Sequence, residues 1–279
     1  MDFLLSIKLV IVVGVLAVFV LYERIYPAEG GPLLLRLGRA TKAAWIRLFR
    51  NLSLFGINAL LSPLIVLPIT VFAADHSFGL RPDWWSGWLG LGLDILLLDL
   101  WIYWWHRANH ELQFLWRFHS VHHLDETLDT SSALRFHFGE VVLSACVRGV
   151  VIVVFDLPLA SVLLFEAIVL ASAIFHHSDA KLPPRLEAAL AHVIITPSIH
   201  WIHHHAIRAD TDSNYGTLFS FWDRLFRSAS LTKRFKGMPI GVEGMRDRSL
   251  PRLITTPLNS PGSTGSPAAT GLTKTPPKS

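Results

Sequence analysis

The chain has 279 residues, 51% of them hydrophobic and only 16% charged, with a mean hydropathy of +0.42 and a formal net charge of +4. That balance excludes an ordinary soluble domain and predicts an integral membrane protein. A single cysteine, Cys146, excludes a disulfide framework or an iron–sulfur cluster held by this chain alone, and no surface interleaves basic and aromatic residues as a nucleic-acid partner would require.

In chain order, the first apolar run, Phe3 to Tyr22, has no small-residue cleavage pattern and reads as a retained spanning helix, with Lys8 able to snorkel. A basic segment follows, with Arg24, Arg36, Arg39, Lys42, Arg47 and Arg50 against Glu23 and Glu29. At about 100° per residue its later basic residues share one arc and Leu34, Leu37, Trp45 and Leu48 the other. This fits either an interfacial amphipathic helix on an anionic leaflet or a loop helix packed on the protein. A second span is expected from Leu52 to Ala74, kinked at Pro63 and Pro68, and a third from Trp84 to Trp105. Trp101, Tyr103, Trp104 and Trp105 are expected at the headgroup level. The positive-inside rule puts the basic segment in the cytoplasm and the loop 75–83 outside.

Asp94 and Asp99 fall inside the third span, where a carboxylate needs a partner. Asp99 lies two turns before His106, so it either supports the helix carrying that histidine or makes a structural hydrogen bond to a neighbouring helix. Val141 to Phe155 and Pro158 to Phe175 are shorter apolar runs joined at the turn Asp156-Leu157-Pro158, consistent with a re-entrant hairpin or two short tilted spans. Arg148 and Glu166 are equidistant from Leu157 and are expected to pair. Ser178 to Thr217 is polar, Phe219 to Phe226 reads as an amphipathic closing helix, and Thr255 to Ser279, rich in Pro, Ser, Thr and Gly, as a disordered tail. The expected fold is all-α: an integral membrane helical bundle with a cytoplasmic, histidine-rich helical cap. Its parts are an N-terminal span and basic segment (1–51), a membrane-embedded catalytic domain (52–236) and a C-terminal extension (237–279).

Fourteen histidines are concentrated in clusters: His106-x3-His110, His119-x2-His122-His123 and His200-x2-His203-His204. Two histidines four apart project from one helical face, and an x2 spacing followed by an adjacent pair packs three rings into little more than one turn. Neutral imidazoles converging in this way point to a metal centre.

With their flanks, these clusters resemble the fatty acid hydroxylase/sterol desaturase superfamily. Arg107 follows the first histidine, Arg135-Phe136-His137 is similar to a family segment although Phe138 stands where Pro is usual, and His177 in Phe175-His176-His177-Ser178 aligns with a family histidine. The third cluster follows Thr196-Pro197, and Asn214-Tyr215-Gly216 with Trp222-Asp223-Arg224 is similar to the family's closing signature. The resemblance covers roughly Asp94 to Phe226. It implies two iron ions held by His106, His110, His119, His122, His123, His137, His177, His200, His203 and His204, with O2 as co-substrate and no separate side-chain acid or base. His176 and His205 are extra rings beside matched positions, and His76 and His192 have no motif around them. The implied activity is hydroxylation or desaturation of an unactivated C–H bond of a lipid, with electrons from a cytochrome b-type protein, a ferredoxin or a reductase.

Ligating histidines donate their second N–H to an oxygen, and Glu140, Asp125, Asp179, Asp212 and Asp223 are the candidate carboxylate partners. A hydrophobic tunnel is expected to run from the bilayer to the metals, lined by aromatics of 101–118 and 165–175. The rival of another class, a divalent-metal transporter, would place its site near mid-bilayer.

Overall fold

The computed structural model describes residues 2–29 and 41–258. The part of the basic amphipathic segment at 36–40 and the tail from 259 onward lie outside the described residues. Helix α1 spans Asp2–Ile25, and α2 runs from Lys42 through Leu61, a π-turn at Ser62–Val66 and a last stretch Leu67–Asp75. The following helices are α3 (Gly87–Glu111), α4 (Gln113–His123), α5 (Phe138–Phe155) and α6 (Leu159–His177). Short helices α7 (Pro184–Ala191), α8 (Pro197–His203), α9 (Arg208–Thr211), α10 (Phe221–Leu225) and α11 (Leu250–Ile254) complete the cap. Strands are absent among the described residues, leaving isolated bridges such as Ile194 with Phe219.

Among the described residues, α2, α3, α5 and α6 are each long and apolar enough to cross a membrane. Leu60, Leu64 and Phe72 of α2 and Trp88 and Leu89 of α3 are exposed, as expected of a surface whose solvent is lipid. Toward the end of the bundle away from the histidines, Ala73, Leu98, Ile152, Leu157, Val162 and Phe165 form a buried cluster. Asp156, in the left-handed conformation, makes the turn between α5 and α6, and Leu157 beside it is buried. Arg148 pairs with Glu166 at 2.6 Å across this hairpin, as its symmetry predicted.

Pro63 and Pro68 do not break α2. Each deletes an N–H, and the π-turn absorbs the mismatch, so the helix continues to Asp75. Helix α2 also starts earlier than expected, at Lys42, capped by Thr41 Oγ1 accepting from Ala44 N at 3.3 Å, and it crosses the expected boundary at 51/52 without interruption.

The basic residues of this helix turn inward. Arg47 bonds Asp125 at 2.6 and 2.8 Å, Asp129 at 2.7 Å, the Thr127 carbonyl and the Ser132 hydroxyl. Arg50 pairs with Asp247 at 2.7 Å. Of the two readings of this segment, packing on the protein is the one observed for Arg47 and Arg50. Burial raises Asp125, but Arg47 and Arg135 beside it hold its carboxyl below the ordinary value, so it stays a charged anchor for the loop after α4.

The aromatic belt also differs from expectation. Trp104 is exposed, but Tyr103 is fully buried, its hydroxyl 2.7 Å from Ser228 Oγ, and Trp101 is nearly so. The residues after 236 pack back as well. Leu253 is buried against Leu54, Val121 and Leu124, and Thr255 to Leu258 forms a helical turn with Thr256 and Pro257 buried, so ordered structure extends past the tail's expected start.

Candidate metal centre

Helix α3 ends at Glu111, Leu112 takes an extended conformation, and α4 begins at once, so a one-residue corner folds His119, His122 and His123 back over His106 and His110. Helix α6 brings His177 to the same end of the bundle, and α8 brings His200 and His203, with His204 as its C-cap. The rings fall into two groups, His106, His110, His119, His123 and His203 in one and His122, His177, His200 and His204 in the other. Within each group the ligand nitrogens lie within 4.8 Å of one another. The groups adjoin, with the rings of His123 and His204 stacked at 4.3 Å.

Hydrogen bonds fix the tautomers of five rings, because a carbonyl can only accept. His106 Nδ1 donates to Tyr215 O at 2.8 Å, His203 Nδ1 to Ser213 O at 2.7 Å, His122 Nδ1 to Arg135 O at 3.1 Å and His177 Nδ1 to Ala173 O at 2.8 Å. His119 Nδ1 meets Glu140 Oε1 at 2.8 Å. Each therefore turns an unprotonated Nε2 toward its group. His122 and His177 then face each other with Nε2 atoms 3.0 Å apart, as lone pair against lone pair. Among the described residues, His203 Nε2 and both nitrogens of His110 have no hydrogen-bond partner, and the Nε2 atoms of His123, His200 and His204 meet only other ring Nε2 atoms, at 3.0–3.2 Å. Nine neutral imidazoles with converging bare nitrogens fit metal cations, which supply the missing acceptor for those lone pairs. Burial, followed by the neighbouring rings, pushes His122, His123, His200 and His204 well below the ordinary histidine value, and burial does the same for His203, so they stay neutral.

The tenth expected ligand, His137, is in neither group. Its Nδ1 accepts from Gly139 N at 2.9 Å, capping α5, and its Nε2 donates to Ile254 O at 3.0 Å, leaving no nitrogen for a metal. His176 is buried with its ring 4.0 Å from that of His200 but stays outside both groups, and His205 is tied to Asp210 at 2.8 Å. His76 and His192 bond back to their own helices, away from the site.

Of the expected carboxylate partners, Glu140 reaches a clustered ring by hydrogen bond. Asp212 Oδ1 stands 3.4 Å from His110 Nδ1 without hydrogen-bond alignment. Asp125 belongs to Arg47, and Asp179 to the backbone of Ala28 and Glu29 and to Arg234. Asp223 accepts from Tyr215 N at 2.7 Å and Gly216 N at 2.9 Å. Burial pushes that carboxyl up and these bonds pull it back. Asn214, left-handed as an Asn tolerates, makes the turn whose flanking carbonyls hold His203 and His106. Asp99 takes the second of its two readings. It accepts from Leu218 N and Phe219 N at 3.1 Å and from Trp222 Nε1 at 2.9 Å, clamping the closing segment to α3.

A cavity of about 610 Å³ leads from the bundle interior to the rings. Phe55, Ile102, Leu163, Phe165, Val169 and Leu170 give it apolar walls, and His106, His119, His122, His177 and His200 close one end. Trp105 lines it as expected, and Trp101 and Trp104 do not. Asn109, which no motif marks, lines it too: it is 1% exposed, and neither its Nδ2 nor its Oδ1 has a partner. A polar side chain one position before His110 was the only signal available in the sequence.

Residues 91–228 match the fatty acid hydroxylase family. The chain is 24% identical to ornithine lipid hydroxylase OlsE of Rhizobium tropici over 200 residues, 72% of this chain and 60% of that protein. It is 31% identical to alkylglycerol monooxygenase of Danio rerio over 174 residues, 58% of this chain and 35% of that one. It is 28% identical to lathosterol oxidase of Mus musculus over 162 residues, 56% and 51% respectively. The chain thus spans between about a third and three-fifths of the length of these relatives. No solved structure matches it.

Proposed function

Because the chain carries a fatty acid hydroxylase domain at residues 91–228, we propose that it is a membrane enzyme that uses O2 to hydroxylate, or alternatively desaturate, an aliphatic C–H bond of a lipid. The observation carrying this reading is an apolar cavity that ends on two adjoining groups of neutral histidines. His106, His110, His119, His123 and His203 would hold one iron ion and His122, His177, His200 and His204 the second. Bound iron supplies the redox chemistry that breaking an aliphatic C–H bond demands and no side chain provides.

The chain's own residues do the rest. Glu140 and the carbonyls of Ala173, Arg135, Ser213 and Tyr215 orient the rings and fix their tautomers. The walls of the cavity align a lipid chain and exclude water. The catalytic unit on this reading includes the start of α2, whose Arg47 anchors the loop after α4, and the returning segment that buries Leu253. The histidine end faces the cytoplasm on this reading, since Arg47 and Arg50 of the basic segment lie at that end, and an external donor, a cytochrome b-type protein, a ferredoxin or a reductase, delivers electrons. Relatives named for ornithine lipid, alkylglycerol and lathosterol support a lipid substrate. A metal transporter finds no support, because the rings sit at one end of the bundle beneath the closing segment and not at mid-bilayer.

The test is lipid analysis of cells with and without the protein under oxygen-18 gas. A lipid carrying one labelled hydroxyl supports hydroxylation, and an oxygen-dependent new double bond without label supports desaturation. If no oxygen-dependent lipid product forms while cellular metal content changes, the oxygenase reading fails.

A further inference from the structure

The cavity has a second polar end. Arg148 of α5 and Glu166 of α6 both line it, paired at 2.6 Å, with Thr70 of α2 lining it beside them, 3.4 Å from Arg148 Nη2. Glu166 lies eleven residues ahead of His177 on α6, which sets the pair roughly 16 Å from the histidines along the helix axis, about half of a ~30 Å hydrocarbon layer. Between the two ends the walls are apolar, with Phe165, Val169 and Leu170 on α6 itself.

An ion pair at this depth needs a reason. Two well-packed apolar side chains in its place are as stable or more so, because neither has to be desolvated. The pair also keeps an accessible edge: its side chains are 10% and 16% exposed, and the bonds of the guanidinium to Glu166 and Thr70 both run through Nη2. Packing alone would be served by filling the space beside these groups or by deleting them, yet they border open space of ligand size.

We propose that the Arg148–Glu166 pair is the binding site for a neutral hydrogen-bonding group, a hydroxyl or a carbonyl, at the membrane-buried end of an elongated lipid. The inference rests on the oxygenase reading of the same cavity and narrows its substrate. The lipid carries a polar function about one leaflet's acyl length away from the carbon that is oxidised. A plain alkyl terminus would leave the guanidinium N–H unmet, whereas a hydroxyl or carbonyl oxygen accepts from it. The pair as a whole, with Thr70, thus discriminates between polar-ended and hydrocarbon-ended chains.

The test is equilibrium binding of hexadecyl alcohol and of hexadecane to the purified full-length protein in nanodiscs under nitrogen, where no turnover occurs. Replacing both partners, Arg148→Leu with Glu166→Leu, is expected to weaken the alcohol about tenfold and leave hexadecane unchanged or tighter. Arg148→Lys keeps the charge and the ion pair but loses the planar fork that leaves a second Nη free to donate, and should lose several-fold in alcohol affinity alone. Unchanged alcohol binding in either folded variant overturns the proposal. Failure of the double variant to fold would count against it as well, by giving the pair a structural role. Failure here with oxygen-18 product still formed leaves the oxygenase reading intact. Retained alcohol selectivity without any product removes that reading and keeps this site.

Discussion

His122 Nε2 and His177 Nε2 stand 3.0 Å apart while the Nδ1 of each ring donates to a backbone carbonyl. Two lone pairs so placed repel one another unless a cation lies between them and their neighbours. The purified protein should therefore contain about two metal ions per chain by elemental mass spectrometry, and chelation should lower its Tm. His177→Ala should lose the ion of its own group, His203→Ala that of the other, and His76→Ala neither. Full metal content in both of the first two variants would sink the assignment.

Among the described residues, Glu140 carries the one carboxylate hydrogen-bonded to a clustered ring, His119, and it is 6% exposed. Glu140→Gln keeps the shape but replaces the charged oxygen that accepts from His119 Nδ1 with an amide. Metal affinity in competition with a chelator is expected to fall about 10- to 100-fold, with little change in the helical circular dichroism. An unchanged affinity would mean that the ring is held by packing alone.

Asp99 satisfies Leu218 N, Phe219 N and Trp222 Nε1 at the same time and is fully buried. Asp99→Ala leaves three buried donors unmet, a destabilisation of about 3 kcal/mol or more. Since the clamped segment carries the carbonyls that hold His106 and His203, metal content should fall with it. The check is denaturant unfolding together with metal analysis. A variant with normal stability would show that Asp99 is not the clamp.

Gly216 admits no side chain. A Cβ there would come within 2.7 Å of Ile195 Cδ1, 2.8 Å of Asp223 Oδ2 and 2.9 Å of the Phe219 carbonyl. Gly216→Ala should cost about 1–3 kcal/mol and shift the Tyr215 carbonyl from His106, read as a lower Tm and weaker metal retention.

Asn109 lines the cavity, and among the described residues neither its buried amide donor nor its acceptor has a hydrogen-bond partner. Asn109→Leu removes both orphans at similar volume, so the variant should be about 1 kcal/mol more stable, yet slower or less regioselective if the carboxamide orients the lipid. A more stable variant with unaltered turnover and product pattern would leave Asn109 no part in binding.

What could be read from the sequence was what is local or symmetric. The clustering of the rings was legible because spacings of three and four residues place side chains on one helical face whatever the tertiary fold, but their division into two groups was not, since it parts His122 from His119 and His123 and His203 from His200 and His204. The Arg148–Glu166 pair was legible because a hairpin of two equal helices sets its own register. His137 misled because Arg135-Phe136-His137 looks like part of a histidine box, while its ring is committed by Ile254, 117 positions away. Arg47 stayed open between two readings for a similar reason. A helical wheel shows which residues share a face and not whether water, lipid or Asp125 lies opposite. Asn109 and the second reading of Asp99 depend on contacts between elements distant in sequence, which no periodicity reports.

The segment Leu250 to Leu258 has a practical consequence for anyone trimming the chain. The family match stops at residue 228, and a truncation there would retain every clustered ring. It would also strip Asp247 from Arg135, whose guanidinium is wholly enclosed and whose carbonyl steadies His122, and would unroof Leu54, Val121 and Leu124. Homology would declare such a fragment complete, and it would emerge from the ribosome with its keystone missing.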